Sequence, residues 1–243
     1  MAAKRMRVFA GPNGSGKTTI IKSMQAEIPF GVYVNADDIE SLLAESGVLL
    51  FNSYQLTITE TQLQSFFKAS KFAPIKRNEP DLWEKLTIKE NVLHINTTVD
   101  SYLAADMAEF IRQGLLANDI SFTYETVMSH ESKVAFMQHA KDNGYRVYLY
   151  FIATEDPDIN VSRVNVRVAQ QGHSVSPEKI TDRYYKSLQQ LKAAVKKTNR
   201  AYVWDNSGEA ALLIAEITDG QDVKVFDTDK VPNWFVNYLT NEY

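Results

Sequence analysis

The sequence predicts an α/β protein built on a mostly parallel sheet, and three observations predict it. Apolar, β-rich runs recur along the chain, most are followed by an amphipathic helical stretch, and the first opens into a glycine-rich loop. Strands that alternate with helices imply a parallel sheet with helices on both faces. Ligands in such sheets sit beyond the carboxyl ends of the strands.

In order, "RVFAG" reads as the first strand, and "KTTIIKSMQAE" after the glycine loop as the first helix. "GVYVNAD" is the second strand, and "IESLLAE" the start of a second helix. From about Ser41 to Asn118 the alternation stops. There "SYQLTITETQLQSFFKAS" and "TVDSYLAADMAEFIRQGLLAN" have helical period, and "KFAPIKRNEPDLWEKLTIKENVLHIN", with Pro74 and Pro80, reads as a turn-rich crossing between them. The expectation is a helical crossover elaboration over 41–118 within a single domain spanning 1–243. "ISFTYET", "RVYLYFIAT" and "RAYVWDNS" resume the strands, with helical "SKVAFMQHAKDN" and "SPEKITDRYYKSLQQLKAAVKK" among them. A short strand, "VKVFD", and an aromatic-rich helix carrying Trp234, Phe235 and Tyr238 close the chain.

Bulk composition excludes several classes. At 243 residues, 44% hydrophobic and 23% charged, the chain has ample length for a buried core. It has no cysteine, which rules out disulfides and thiolate zinc sites. A formal net charge of -4 argues against general nucleic-acid affinity. No apolar run approaches the roughly 20 residues a membrane span needs, and the run after Arg7 is too short for a signal peptide. The expected location is the cytoplasm.

The strongest motif is "GPNGSGKTT". Gly11, Gly16, Lys17 and Thr18 satisfy G-x-x-x-x-G-K-[ST], with a strand before and a helix after. Main-chain N–H groups of Gly11, Asn13, Gly14, Ser15 and Gly16, with the start of the helix, are expected to cradle the phosphates of a nucleoside triphosphate. Lys17 reaches the β- and γ-phosphates, the Thr18 hydroxyl is the expected Mg²⁺ ligand, and Thr19 follows at the helix start.

Two acidic strand ends and an arginine pair accompany the loop. "NADD" places Asp37 and Asp38 on the phosphate side. Asp37 is the candidate to accept a proton from an attacking hydroxyl, the alternative being that Asp37 or Asp38 caps the next helix, a role that suits Asp38. "YETVMSH" places Glu125 and Thr126 at the end of another strand, where Glu125 can meet substrate hydroxyls or a metal-bound water, or serve structure alone. Arg163 and Arg167, four apart, share a helix face. With Gly172 ending that helix, His173 in the loop, and Ser176-Pro177 starting the next, residues 157–197 read as a helix–loop–helix lid. Its arginines either neutralise charge on a transferring phosphoryl group or form surface ion pairs.

Taken together, "GPNGSGKTT", "NADD-I", "ET-x-x-S", the lid segment from Arg163 to Tyr184 with its "GH", and "DNS" resemble, in this order, the zeta-toxin-like kinases with a phosphate-binding loop. The resemblance spans about Arg7 to Gly208, apart from most of the Ser41–Asn118 region. It implies a P-loop NTPase fold with a helical crossover insertion and a helical lid. It also implies ATP and Mg²⁺, and phosphorylation of a hydroxyl on a small metabolite, UDP-N-acetylglucosamine in the best-described toxins. It assigns Lys17 and Thr18 to ATP and Mg²⁺, Asp37 to the general base, Glu125 to the substrate side and Arg163 and Arg167 to the phosphates, with Arg183 a weaker counterpart. Any neutralising antitoxin would be a separate protein. Two other readings stay open on the residues alone: a polynucleotide kinase, for which "KFAPIKR" is the one basic stretch nearby, and a nucleotide-dependent switch without an acceptor.

Overall fold

The computed structural model describes residues 3–170 and 175–241. In chain order these form β1 (Arg5–Ala10), α1 (Lys17–Met24), β2 (Val32–Val34), α2 (Ala36–Ser46), β3 (Val48–Leu50), α3 (Glu60–Ala69), α4 (Ala73–Lys76), β4 (Leu86–Lys89), β5 (Val92–Ile95) and α5 (Ser101–Ala117). There follow β6 (Phe122–Thr126), α6 (Glu131–Asp142), β7 (Arg146–Ala153), α7 (Pro157–Ala169), α8 (Pro177–Val195), β8 (Arg200–Asp205), β9 (Leu212–Thr218), β10 (Asp222–Val225) and α9 (Asn233–Phe235). Among the described residues, no helix is long and apolar enough to cross a membrane.

The chain divides into two compact units, Met1–Phe30 with Thr123–Tyr243, and Gly31–Phe122. The first carries the mostly parallel sheet of a P-loop NTPase fold, its strands in the order β10-β9-β8-β7-β1-β6. β1 pairs parallel with β7, and β7 with β8; β9 and β10 then turn back antiparallel. The three central strands, β1, β7 and β8, are apolar on alternate residues and more. Met6, Val8, Val147, Leu149, Phe151, Ala201 and Val203 have no exposed surface at all, the pattern of a parallel sheet packed under helices. The expected strands and helices of this unit are present. β9, "LLIAEIT", is an additional strand that sequence reading left out.

The lid helices start on sequence-legible signals. Asp156 caps α7 and Pro157 occupies its first turn. Ser176 caps α8 by accepting from the Lys179 N–H, with Pro177 at the first helical position. Gly172 and His173 lie outside the described residues. His130 caps α6, its ring nitrogen accepting from the Ser132 N–H at 3.1 Å. At the C-terminus, Trp234 and Phe235 are buried, so the aromatic helix is packing material for this unit.

The second unit holds helices α3 and α5 where the helical period placed them, but the crossing between them is not merely turns. β3, β5 and β4 form a three-stranded antiparallel sheet in that order. Lys89 pairs with Val92 across a two-residue hairpin, and both hairpin residues, Glu90 and Asn91, have positive φ, at 50° and 64°. Asn91 then holds the fold together, its amide donating to Leu56 O at 2.8 Å and its Oδ1 accepting from Ile58 N at 2.8 Å. α3 begins with a capping box between Thr59 and Gln62. The buried Asp106 of α5 accepts from Ser70 Oγ at 2.5 Å and from Ala73 N at 2.9 Å, tying the end of α3 and the start of α4 to α5.

A buried carboxylate with two donors is costly to remove, because both donors lose their acceptor away from water. Asp106→Ala should therefore lower the unfolding free energy by about 2 kcal/mol. Asp106→Asn, which keeps an acceptor oxygen, should lower it less. Urea titration followed by circular dichroism checks this, and an unchanged midpoint in Asp106→Ala would refute the role assigned to the carboxylate.

Candidate nucleotide-binding site

The glycine loop begins where β1 ends, at the carboxyl edge of the sheet, and α1 leaves it at Lys17. Gly11 N donates to Thr126 O at the end of β6, 3.3 Å away. Two side-chain amides then pin the loop from outside. Asn160 Nδ2, on α7, donates to Asn13 O at 2.6 Å, and Asn206 Nδ2, just past β8, donates to Ser15 O at 2.8 Å. A trans peptide points its C=O and N–H in opposite directions. Holding the Asn13 and Ser15 carbonyls outward therefore turns the Gly14 and Gly16 N–H groups the other way, toward the concave side of the loop.

The glycines are there because the main chain of Asn160 and the side-chain amide of Asn206 come so close. Gly14 has φ 75°, and a Cβ on it would lie 2.5 Å from Asn160 O; Gly16 has φ 92°, and its Cβ would lie 2.1 Å from Asn206 Nδ2. No L side chain fits either place. Gly16 also starts α1 without any side-chain cap, which leaves that helix end suited to an anion. Ser15 Oγ and Asn13 Oδ1 are buried and have no hydrogen-bond partner among the described residues. Buried polar atoms are rarely left so, and here they lie in the loop that the phosphates of a nucleotide would fill. Lys17 Nζ curls back over the loop, donating to Gly11 O at 2.8 Å and Pro12 O at 3.0 Å.

Asn160 is itself fully buried, and its Oδ1 accepts from the Thr154 hydroxyl at the end of β7. Tyr184 of α8 donates its hydroxyl to Thr154 O at 2.6 Å, so both lid helices converge on the same residue. Burial, and after it the Glu155 charge, push the Tyr184 phenol well above its ordinary value, keeping it a donor. Past β8, Asp205 accepts from Ser207 Oγ at 2.9 Å and from Trp234 Nε1 at 2.8 Å, which fixes the turn that carries Asn206. Arg163 is tied to that turn as well: it donates to Asn206 O at 2.7 Å and Gly208 O at 3.3 Å. Arg167, one turn further along α7, is exposed.

Glu125 and Thr126 end β6, the strand next to β1. Glu125 is half-buried; the Thr126 hydroxyl accepts from Met128 N at 3.0 Å, holding the following loop, where Met128 has φ 55°. In the second unit, α2 starts at Ala36, so Asp37 and Asp38 lie in its first turn rather than at a strand end. The cap is neither of them. Asn35, in extended conformation, accepts from Asp37 N at 2.9 Å, because a capping side chain must come from the residue before the first helical one. Both carboxylates sit where the helix dipole favours negative charge. Partial burial, and then the neighbouring Asp37 charge, hold Asp38 above the usual carboxylate range, although its side chain reaches the surface.

Comparison with known proteins decides the family. The Zeta toxin family matches residues 87–218, a little over half of the chain. The chain belongs to the Zeta toxin family. Its fold matches the chromosomal PezAT toxin–antitoxin system of Streptococcus pneumoniae with a TM-score of 0.54 at 13% identity, covering 100% of this chain and 81% of that one. It matches the AvrRxo1-ORF1:AvrRxo1-ORF2 complex with sulphate ions at 0.57 and 13% identity, over 94% of this chain and 62% of that one. The same complex with ATP gives 0.53 and 13%, over 92% and 61%. An uncharacterized protein of Haemophilus influenzae is 34% identical over 65 residues, 27% of this chain and 46% of that protein. The chain thus spans less than two thirds of the AvrRxo1 chain, and its match covers about half of the Haemophilus protein. At these identities the structural likenesses establish the fold.

In this Zeta toxin family member, Gly11, Asn13, Gly14, Ser15, Gly16, Lys17, Thr126 and Arg163 come together around one loop. Thr18 and Thr19 are exposed on the first turn of α1. Among the described residues no group of three or more histidine, aspartate or glutamate side chains is placed to hold a metal ion. The two bracing amides went unread in the sequence. Asn160 carries a detectable signal: with Val164 it forms the buried face of α7, and a polar residue at a buried helical position needs a partner. Asn206 stands inside the "DNS" motif, but nothing local says that its amide reaches Ser15.

Removing a brace should loosen the loop. Asn206→Ala is expected to weaken binding of a fluorescent ATP analogue about tenfold, the worth of one well-placed hydrogen bond. Asn206→Asp should do worse, since a carboxylate oxygen would face the Ser15 carbonyl. Titration alongside a thermal melt separates affinity from stability; wild-type affinity in both variants would show that the brace does not shape the loop.

Proposed function

We propose that this Zeta toxin family member is an ATP-dependent kinase that phosphorylates a hydroxyl of a small metabolite, with nucleotide sugars such as UDP-N-acetylglucosamine the first acceptors to test. The observation that carries the reading is the loop itself: two carbonyls pinned outward, an uncapped helix start, and an ammonium at the rim. The AvrRxo1-ORF1:AvrRxo1-ORF2 complex, whose fold this chain shares, has been crystallised with ATP.

On this reading the N–H groups of the loop and the start of α1 receive the β- and γ-phosphates. Lys17, now on the Gly11 and Pro12 carbonyls, has its ammonium already at the loop and exchanges those acceptors for phosphate oxygens. Mg²⁺, when bound, would supply charge neutralisation on the phosphates, and the Thr18 hydroxyl is the residue that would hold it. Arg163 and Arg167 neutralise charge on the transferring group. The Arg163 guanidinium, fixed by two main-chain carbonyls, needs little reordering to do so. Asp37 takes the proton of the attacking hydroxyl, and Glu125 with Thr126 orient the acceptor. We read residues 1–243 as one functional kinase, with 41–118 as its elaboration and 157–197 as its lid, acting in the cytoplasm. The PezAT neighbour is described as part of a toxin–antitoxin system, which supports a separate antitoxin as this chain's partner.

Incubation with ATP and panels of nucleotide sugars, nucleosides and oligonucleotide 5′ ends, with mass spectrometry of the products, tests the acceptor. Phosphorylation of the oligonucleotides alone would overturn the small-metabolite reading. Asp37→Ala should lower turnover by on the order of 100-fold while nucleotide affinity stays near wild type. Arg163→Ala should lower turnover about tenfold or more, with a smaller effect on ATP binding. A wild-type rate in Asp37→Ala would remove it from the mechanism.

A further inference from the structure

One face of the parallel sheet departs from the rule that such sheets are covered on both sides. The strand register sets Arg5 beside Arg146, Arg7 beside Tyr148, and Tyr148 beside Arg200. One step along, Phe9 lies beside Tyr150, and Tyr150 beside Tyr202. With side chains alternating every residue, all of these share a face. The opposite face, with Val8, Leu149 and Val203, has no exposed surface. On this face Arg7, Phe9 and Tyr150 are buried, but Tyr148, Tyr202 and Trp204 stay half-exposed, and Arg146 and Arg200 are exposed, although β7 is an interior strand with β1 and β8 on either side.

The composition of this face is unusual for a chain of formal net charge -4. Arg146, Arg200 and Lys224, the last on β10 beside Glu216 of β9, are exposed cations on it and Arg5 is half-exposed, while Arg7 is buried; two acids, Glu216 and Asp222, stand against them. Arg200 pairs with Glu216 at 3.0 Å. Half-exposed tyrosine and tryptophan among arginines are what the energetic centres of protein interfaces are made of.

We propose that this face of β1, β7, β8 and β9 is a docking surface for an acidic segment of a partner protein. Charge selects the occupant. A second copy of the same face would set arginine against arginine. A nucleic-acid strand needs free ring faces to stack its bases on, and here the faces are used up. Phe9 stacks on Tyr150 at 4.5 Å and 9°, Tyr150 on Tyr202 at 5.3 Å and 20° and on Trp204 at 6.0 Å and 23°. Arg7 and Arg146 lie over Tyr148, at 5.6 Å and 5.9 Å. What remains exposed is ring edges and guanidinium groups, which suit carboxylates. Arg5, Arg146 and Arg200 stand at the amino ends of β1, β7 and β8, whereas the phosphate loop follows the carboxyl end of β1. About six residues of strand, roughly 17–20 Å, separate these three arginines from that end of the sheet, so a segment held by them leaves the nucleotide loop free.

Fluorescence anisotropy with a labelled peptide of alternating glutamate and leucine tests this, with its lysine counterpart and a labelled oligouridylate as comparison probes, at low and physiological salt. The acidic peptide should bind saturably and more weakly as salt rises. Arg146→Glu and, separately, Arg200→Glu should each weaken it about tenfold or more, with nucleotide binding unchanged; Arg200→Glu also breaks the pair with Glu216, so Arg146→Glu is the variant whose melting temperature should stay at the wild-type value. Hydrogen exchange on the wild-type protein should show peptide-dependent protection in β7 and β8, a readout that does not depend on the variants folding. The absence of saturable binding, binding untouched by both variants, tighter binding of oligouridylate, or self-association of the wild type that Arg146→Glu abolishes would each overturn the proposal.

Discussion

Two amide-to-carbonyl hydrogen bonds, Asn160 to Asn13 and Asn206 to Ser15, set the shape on which the rest of this molecule depends. A glycine-rich loop has many conformations open to it, and freezing it costs backbone entropy. Here that cost is met by partners that are themselves immobile. Asn160 is buried and locked to Thr154, which the Tyr184 hydroxyl also holds. Asn206 sits on a turn clamped by Asp205, Ser207 and Trp234. The loop is therefore shaped before any nucleotide arrives, and its orphaned Ser15 and Asn13 oxygens are the residue of that preorganisation.

The same constraint explains the spacing of the motif. Gly14 and Gly16 are not there merely to bend the chain; Gly14 lies against the main chain of Asn160 and Gly16 against the Asn206 amide that pins Ser15, with no room for a Cβ at either. Arg163 joins the system from the other side, its guanidinium bound to the carbonyls of the turn that holds Asn206. A residue read in the sequence as a lone cation on a helix face is thus mechanically continuous with the loop. Lid, loop and the turn after β8 form one hydrogen-bonded assembly within the first unit.

What could be read beforehand follows from range. The glycine loop, the helix start at Ser176-Pro177 and the alternation of strand and helix are local patterns, and local physics sets them. The bracing amides are long-range: 147 residues separate Asn160 from Asn13, and 191 separate Asn206 from Ser15. The cap of α2 was displaced by two or three residues because Asn, Asp and Asp all favour helix starts, and only backbone geometry chooses among them. The β4–β5 hairpin hid behind Pro74, Pro80 and a Glu-Asn turn in place of the usual glycine, so its short strands read as a crossing. β9 stands between Ser207-Gly208 and Asp219-Gly220, both turn signals, so it was legible in the sequence and simply went unread.

The family match runs over residues 87–218 and leaves out the glycine loop. Yet both amides that shape the loop, the tyrosine that locks one of them and the arginine tied to the other lie inside that span. The part of the chain that matches the family is therefore the part that fixes the geometry of the phosphate-binding loop, even though the loop's own residues stand outside it. Residues that merely line an acceptor have no such obligation, since they need only fit a ligand and not hold a backbone. The family resemblance is consequently a resemblance in how the loop is held, and residues 87–118, the part of the 41–118 segment that lies inside the matched span, supply none of these holding groups.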